Sequence, residues 1–416
     1  MNVAVAGTLS IIGARVLDVD RGELHQQDVH VTNGCVSALG DHDGPPSDVV
    51  IEGHGHVIVP GFIDAHFHAY GIGLDMLVME ATPMSYVTAK AAERLGGALR
   101  RGFTTVRDVA GGDIGLRRAL DEGLIVGPRY LFTGPALSQT GGHGDPRLGD
   151  LAIDTCCHRL TEVVDGVDNL RVAVRERFRT GAHAIKVMTS GGVVSLTDPL
   201  RIPQYSAEEV RVVCDEATRR GSYVAAHAYS PEAIAHSVVN GVRSIEHGNL
   251  LDVATAQLMV RNDAFLVPTL AAYDAMDRRG DSLGLTAVQR AKNLEVLDHG
   301  KQAIEIAAAE GVRIGFGSDL MGDLEDDQLV GLRLQVEVQG PIAAIQSATA
   351  VNAALIGRHD LGRVAVGAVA DLLVLDADPT QDPSVLWDES RRTVISGGRP
   401  LGTSRPALTP FRGRTS

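Results

Sequence analysis

The alternation of apolar and polar positions changes character twice along the 416 residues. Residues 1–60 carry short apolar runs, SIIGARVLDV, DVHVTNGCVSAL and VVIEGHGHVIV, separated by Gly and Asn turn signals. That spacing predicts short strands in a small β-sheet region. From about 57 to 320, apolar runs of strand length alternate with stretches of helical period. The predicted strands are 57–66, 104–109, 129–134, 184–190, 223–228, 244–248, 265–270 and 312–319. Helices fit between them. The stretch 206–221 opens on a Ser206-x-x-Glu209 capping box and stops at Gly221. The stretch 230–241 has Ser at the cap, Pro in the first turn and Gly at its end, and 286–311 reads as one longer helix. Eight strand–helix alternations predict an α/β chain with a (β/α)8 TIM barrel rather than a doubly wound sheet. No Gly-rich phosphate loop follows any of the strands, which weakens the open-sheet alternative further. The tail returns to strands at 367–378 and 391–401. The expected organisation is therefore a barrel over 59–356 and a small β-sandwich built from both chain ends, 1–58 and 357–416.

Composition narrows the function classes. Hydrophobic residues make up 44% and charged residues 22%, which argues against disorder. Aromatics are only 4%, and 38 basic against 52 acidic residues leave a net charge of −14. A nucleic-acid partner is excluded on that balance. No apolar run reaches the ~20 residues of a membrane span, and the start lacks a basic signal-peptide region, so the expected location is cytoplasmic. The cysteines Cys35, Cys156, Cys157 and Cys214 form no C-x-x-C pair, which removes a disulfide scaffold and a thiolate zinc site. The vicinal Cys156 and Cys157 read as structurally neutral. Lysine occurs four times, against 34 arginines, so each lysine stands out.

Candidate chemistry sits at the C-terminal ends of the predicted strands, where barrel active sites form. His66 and His68, in GFIDAHFH, are two apart, and strand alternation points both imidazoles to one face. The same spacing at His54 and His56 lies in a Gly-rich turn and reads as surface, so H-x-H alone says little. Lys186 lies inside the apolar run AIKVM. It reads either as a lysine snorkelling to water or as one kept neutral by burial and able to react with carbon dioxide. The resulting carbamate places an oxygen on each of two metals. His227 ends YVAAHA, His247 ends SIEHG and Asp319 ends RIGFGSD. Singly these are core histidines or a helix cap. Together, in barrel order, they describe a metal site whose imidazole and carboxylate donors suit zinc or a similar divalent ion. Arg107, also at a strand end, reads either as a partner for a substrate carboxylate or as a holder of Asp108.

With these motifs in place, the chain resembles the amidohydrolase superfamily in its two-metal branch with a carboxylated lysine. The resemblance runs from VIVPGFIDAHFH to GAVADLLVLDADP. It is similar in particular to the Xaa-Pro dipeptidase, arginine carboxypeptidase and ochratoxinase-like group, through TTVRDVAG (104–111), TGGHGD (140–145), IKVMTSGGVVS (185–195), SIEHGNLLD (244–252) and FLVPTLAAYD (265–274). The resemblance implies two divalent metal ions, zinc by donor type. His66, His68 and Asp319 would hold the more buried ion and His227 and His247 the more exposed one, with N6-carboxylated Lys186 and a hydroxide bridging. It implies hydrolysis of small-molecule amides, dipeptides or N-acyl amino acids, with Asp319 carrying the proton. His143 and Tyr229 would meet the scissile carbonyl or the substrate carboxylate, and Arg107 would be a further carboxylate partner. A homo-oligomer is also implied. Two departures stand out: HAYS replaces the HAHG of many relatives, and the acidic LMGDLEDDQ after Asp319 suggests tolerance of basic side chains. A one-metal deaminase is disfavoured, because Ser230 stands third after His227 and Lys186 is present. Hydrolysis of a cyclic imide, lactone or carbamate stays open on the same scaffold. A non-catalytic scaffold barrel would have lost ligands, and none is missing.

Overall fold

The computed structural model describes residues 7–41, 46–147 and 160–402. Cys156 and Cys157 lie outside the described residues.

Eight parallel strands form the barrel: Phe62–Phe67, Phe103–Asp108, Arg129–Phe132, Ile185–Met188, Val224–Ala228, Ser244–His247, Phe265–Val267 and Arg313–Ile314. Almost every position in them is buried, because one face meets the barrel interior and the other meets the helices. Ladder pairing runs in two groups, strands one to three and strands four to eight. Single backbone hydrogen bonds close the seams. Ala65 N–H donates to Phe316 O at 3.0 Å, Asp319 N–H to His66 O at 2.8 Å, and His183 N–H to Phe132 O at 2.7 Å. A short strand, Ala136–Ser138, continues past the third barrel strand and meets the fourth at Val187. The architecture is thus the expected (β/α)8 barrel with a small second domain.

Local chemistry sets the helices. Ala207–Thr218 is entered through a reciprocal capping box between Ser206 and Glu209. Pro231–Val239 is capped by Ser230. Ala287–Glu310 has a second capping box, Thr286 with Gln289, and ends where Gly311 turns left-handed at φ 84°. No helix among the described residues is long and apolar enough to cross a membrane.

Two strand expectations need correction. The run 57–66 is not one strand. Val57–Pro60 pairs with Leu372–Leu375 in a six-stranded sheet, and the chain enters the barrel only at Phe62. The break falls at Gly61, where a Cβ would stand 2.3 Å from Thr104 Oγ1. The run 312–319 pairs only at Arg313–Ile314. Beyond it the backbone crosses tightly over the first strand, with a Cβ at Gly317 only 2.5 Å from that of His66.

The six-stranded sheet faces a four-stranded one made of Leu9–Ile12, Val29–Thr32, Cys35–Leu39 and Val49–Glu52. Leu9, Ile11, Val29 and Val31 from one sheet pack with Val16, Ile58, Leu372 and Val374 from the other. Strands from both ends of the chain therefore share one core.

Candidate active site

His66 is the next-to-last residue of the first barrel strand and His68 follows its end, so alternation puts both rings on one face at the C-terminal mouth of the barrel. Both are buried, and the segment is held from two sides. Asp64 accepts hydrogen bonds from His66 N–H (3.0 Å), Ser318 N–H (3.1 Å) and Gln328 Nε2 (2.8 Å). Arg94, reaching in from helix Met84–Arg100, donates to the carbonyls of His68 (3.1 Å), Leu320 (2.8 Å) and Gly322 (2.8 Å). These ties bring the start of the barrel to its end. Asp319 Oδ1 lies 2.9 Å from His68 Nε2 and 3.3 Å from His66 Nε2. The donor atoms of His66, His68 and Asp319 all fall within 4.8 Å of one another, an arrangement able to hold a divalent metal ion.

The remaining candidates close the ring. The His227 and His247 rings are 4.5 Å apart between centroids, and those of His66 and His247 are 5.0 Å apart. His227 Nε2 lies 3.1 Å from Gly191 O, an acceptor only, so this nitrogen carries the proton and Nδ1 is left free. His247 Nδ1 meets Thr269 Oγ1 at 2.7 Å and Tyr273 Oη at 2.8 Å, which leaves its Nε2 free. His247 and Asp319 adopt φ values of 74° and 53°. Left-handed backbone at a non-glycine residue costs roughly 1–3 kcal/mol and recurs at functional sites. Lys186 is buried in the same wall.

Burial and neighbouring charges set the protonation states. Burial pulls the Lys186 ammonium down to about 8. Burial likewise holds His227 and His247 well below the usual imidazole range, in the neutral form that binds metals. For Asp319 burial acts upward, but the adjacent His66, His68 and His247 outweigh it, leaving the carboxyl well below its usual range.

These groups line an open cavity at the mouth of the barrel. His143 and Tyr229 line it as well. The His143 ring stacks on His227 at 4.2 Å, and its Nδ1 lies 3.4 Å from Asp198 Oδ2. Tyr229 stacks on His247 at 4.9 Å and shares a 2.8 Å hydrogen bond with Tyr273. Much of the lining is apolar: four of the eight methionines, Met76, Met188, Met276 and Met321, contribute to it with Val193 and Leu324.

Arg107 does not join the lining. It is sealed beneath the site with no exposure, and its guanidinium pairs with Glu246 at 2.7 Å. A cation that far inside the barrel is out of a substrate's reach. The acidic loop is partly spoken for: Glu325 pairs with Arg94 (3.0 Å) and Arg101 (2.6 Å), and Asp327 with Arg278 (3.2 Å) and Arg279 (2.9 Å). Asp323 and Asp326 of the same loop are exposed, so only part of its acidic charge is neutralised by these arginines. Glu246, Asp64, Arg94, Tyr273 and Asp198 were not singled out by sequence reasoning. Glu246 left a usable signal: a carboxylate inside a short buried strand demands a partner, and Arg107 posed the same demand.

The family model of the amidohydrolase family matches residues 57–401. The chain is 32% identical over 368 residues to an ochratoxinase of Aspergillus niger, covering 82% of this chain and 75% of that protein. Among solved structures, it is 41% identical to a prolidase complexed with N-methylphosphonate-L-proline, with a TM-score of 0.92 over 95% of this chain and 99% of that one. A Xaa-Pro dipeptidase with methionine bound in its active site is 29% identical, with a TM-score of 0.84 over 94% and 99% of the two chains.

Proposed function

The chain belongs to the amidohydrolase family, and from that premise we propose that it hydrolyses dipeptides or N-acyl amino acids whose acyl side is apolar. It acts on amide C–N bonds, as its prolidase and ochratoxinase relatives indicate. The observation that carries the reading is the convergence of His66, His68, Lys186, His227, His247 and Asp319 in one cavity with a largely apolar lining.

The donor set fits two divalent ions of the zinc type. His66, His68 and Asp319 would hold one, His227 and His247 the other, with carboxylated Lys186 between them. Such ions supply Lewis acidity, polarising the amide carbonyl and making water acidic near neutral pH. The chain's own groups do the rest. Asp319, kept ionised by its histidine neighbours, accepts a proton from the attacking water and passes it to the leaving amine. Tyr229 and His143, on the cavity wall, hydrogen-bond the substrate's carbonyl or carboxylate oxygens. The methionine-rich wall adapts to large apolar acyl groups and removes them from water.

A matched substrate panel tests this. With zinc-loaded protein, kcat/KM should be at least about tenfold higher for Leu, Phe or Met than for Lys or Asp on the acyl side, since a charge left unpaired against this wall costs more than 1.4 kcal/mol. A preference for Lys or Arg would overturn the apolar assignment, and loss of no activity on metal removal would overturn the metal-dependent reading.

A further inference from the structure

We propose that Glu246, anchored by Arg107, is a positioning residue that decides which nitrogen of His66 faces the metal site. The inference rests on His66 being a metal ligand. Glu246 Oε2 lies 2.7 Å from His66 Nδ1, and Glu246 Oε1 lies 2.7 Å from the Arg107 guanidinium. Both side chains are fully buried. A carboxylate only accepts hydrogen bonds, so the proton of the neutral imidazole sits on Nδ1. The lone pair is then on Nε2, the nitrogen that faces Asp319 Oδ1 at 3.3 Å. Arg107 acts on the same histidine by a second route. Its Nε donates to the carbonyl of Ala65, the residue before His66, at 2.5 Å. Ser244 adds a hydroxyl donor to Glu246 Oε1, and Tyr223 Oη lies 3.3 Å from the guanidinium.

A buried ion pair kept only for stability gains little over an apolar pair of similar size. This pair instead sits where the first and sixth barrel strands deliver two candidate ligands. Arg107 grips the residue before His66, and Glu246 is the residue before His247. Carboxylate partners of this kind fix the tautomer and orientation of a ligating histidine, and their removal costs about 10–100-fold in metal affinity.

Two double variants separate positioning from stability. Arg107→Met/Glu246→Gln and Arg107→Met/Glu246→Leu both abolish the ion pair, but only the first keeps an acceptor for His66 Nδ1–H. Zn2+ affinity is measured by chelator competition alongside the melting temperature. The Leu variant should bind the tighter of its zinc ions at least about tenfold more weakly than the Gln variant, within the range for such partners. Equal affinities would overturn the proposal. If neither variant folds, 15N-histidine spectra of the zinc-loaded wild type decide. A His66 Nδ1–H proton protected from exchange supports the assignment, and a proton on Nε2 overturns it. Failure of the wild type to bind Zn2+ at all would instead remove the metal-dependent reading of the site on which the inference stands.

Discussion

Buried in the fourth barrel strand, the Lys186 ammonium loses hydration that no neighbouring charge fully replaces, and its pKa falls to about 8. Only the neutral amine reacts with carbon dioxide, and its share grows as pH rises through that value. At a fixed dissolved CO2 concentration, reactivation of metal- and CO2-stripped protein with Zn2+ should therefore quicken between about pH 7 and 9. A rate independent of pH would contradict the carbamate reading, as would a Lys186→Ala variant that keeps two zinc ions and near-normal turnover. Asp319 allows a second test at this scale. Asn at this position preserves shape but cannot take a proton, so kcat should fall by ~10² or more while at least one metal is kept. A fall below about threefold with unchanged metal content would remove Asp319 as the proton carrier. Both residues were legible because each sets a charge in an apolar run: Lys186 lies inside AIKVM, and Asp319 ends RIGFGSD. Glu246 was not, because its role depends on what lies across the barrel.

At the scale of elements, the loops after the strands matter as much as the strands. The segment after the fourth strand presses its backbone against a site histidine. A Cβ at Gly192 would come within 1.9 Å of His143 Cε1. Gly192→Ala should therefore displace the His143 ring, which has room to move because it borders the cavity. The expected result is a kcat/KM reduced by about tenfold or more, with the melting temperature nearly unchanged. Unaltered kinetics would mean that His143 does not contact substrate. Helix starts and stops were readable from local chemistry. The capping boxes at Ser206 and Thr286 and the terminator Gly311 satisfy orphaned groups within a few residues of themselves. Strand limits were less readable. The split at Gly61 arises from contact with Thr104 on the next strand, and nothing within 57–66 records that neighbour.

For the whole molecule, the barrel gathers side chains from most of its length into one floor, and the cavity above it sets which substrates fit. His143 and Tyr229 line that cavity, and under the proposed function they would hydrogen-bond a substrate carboxylate. Each charge-assisted bond is worth ~1.5–3 kcal/mol, so replacing that carboxylate by an amide should lower kcat/KM at least tenfold. Matched free-acid and amide substrates at fixed pH and metal content check this. Equal values would remove the dipeptidase reading and raise hydrolysis of a cyclic imide, lactone or carbamate.

Read alone, the sequence determined the order of strands and helices, the caps, and the polar residues set at strand ends. Those follow from side-chain periodicity and short-range hydrogen bonding, which act within one element. Tertiary structure alone decided what each buried charge faces. Arg107 meets Glu246 across 139 residues, and His68 meets Asp319 across 251. Glu325 and Asp327, which read only as part of an acidic loop, pair with arginines from two separate helices. A buried charge must find its partner through space, and apolar periodicity along the chain says which face is inside but not what stands opposite.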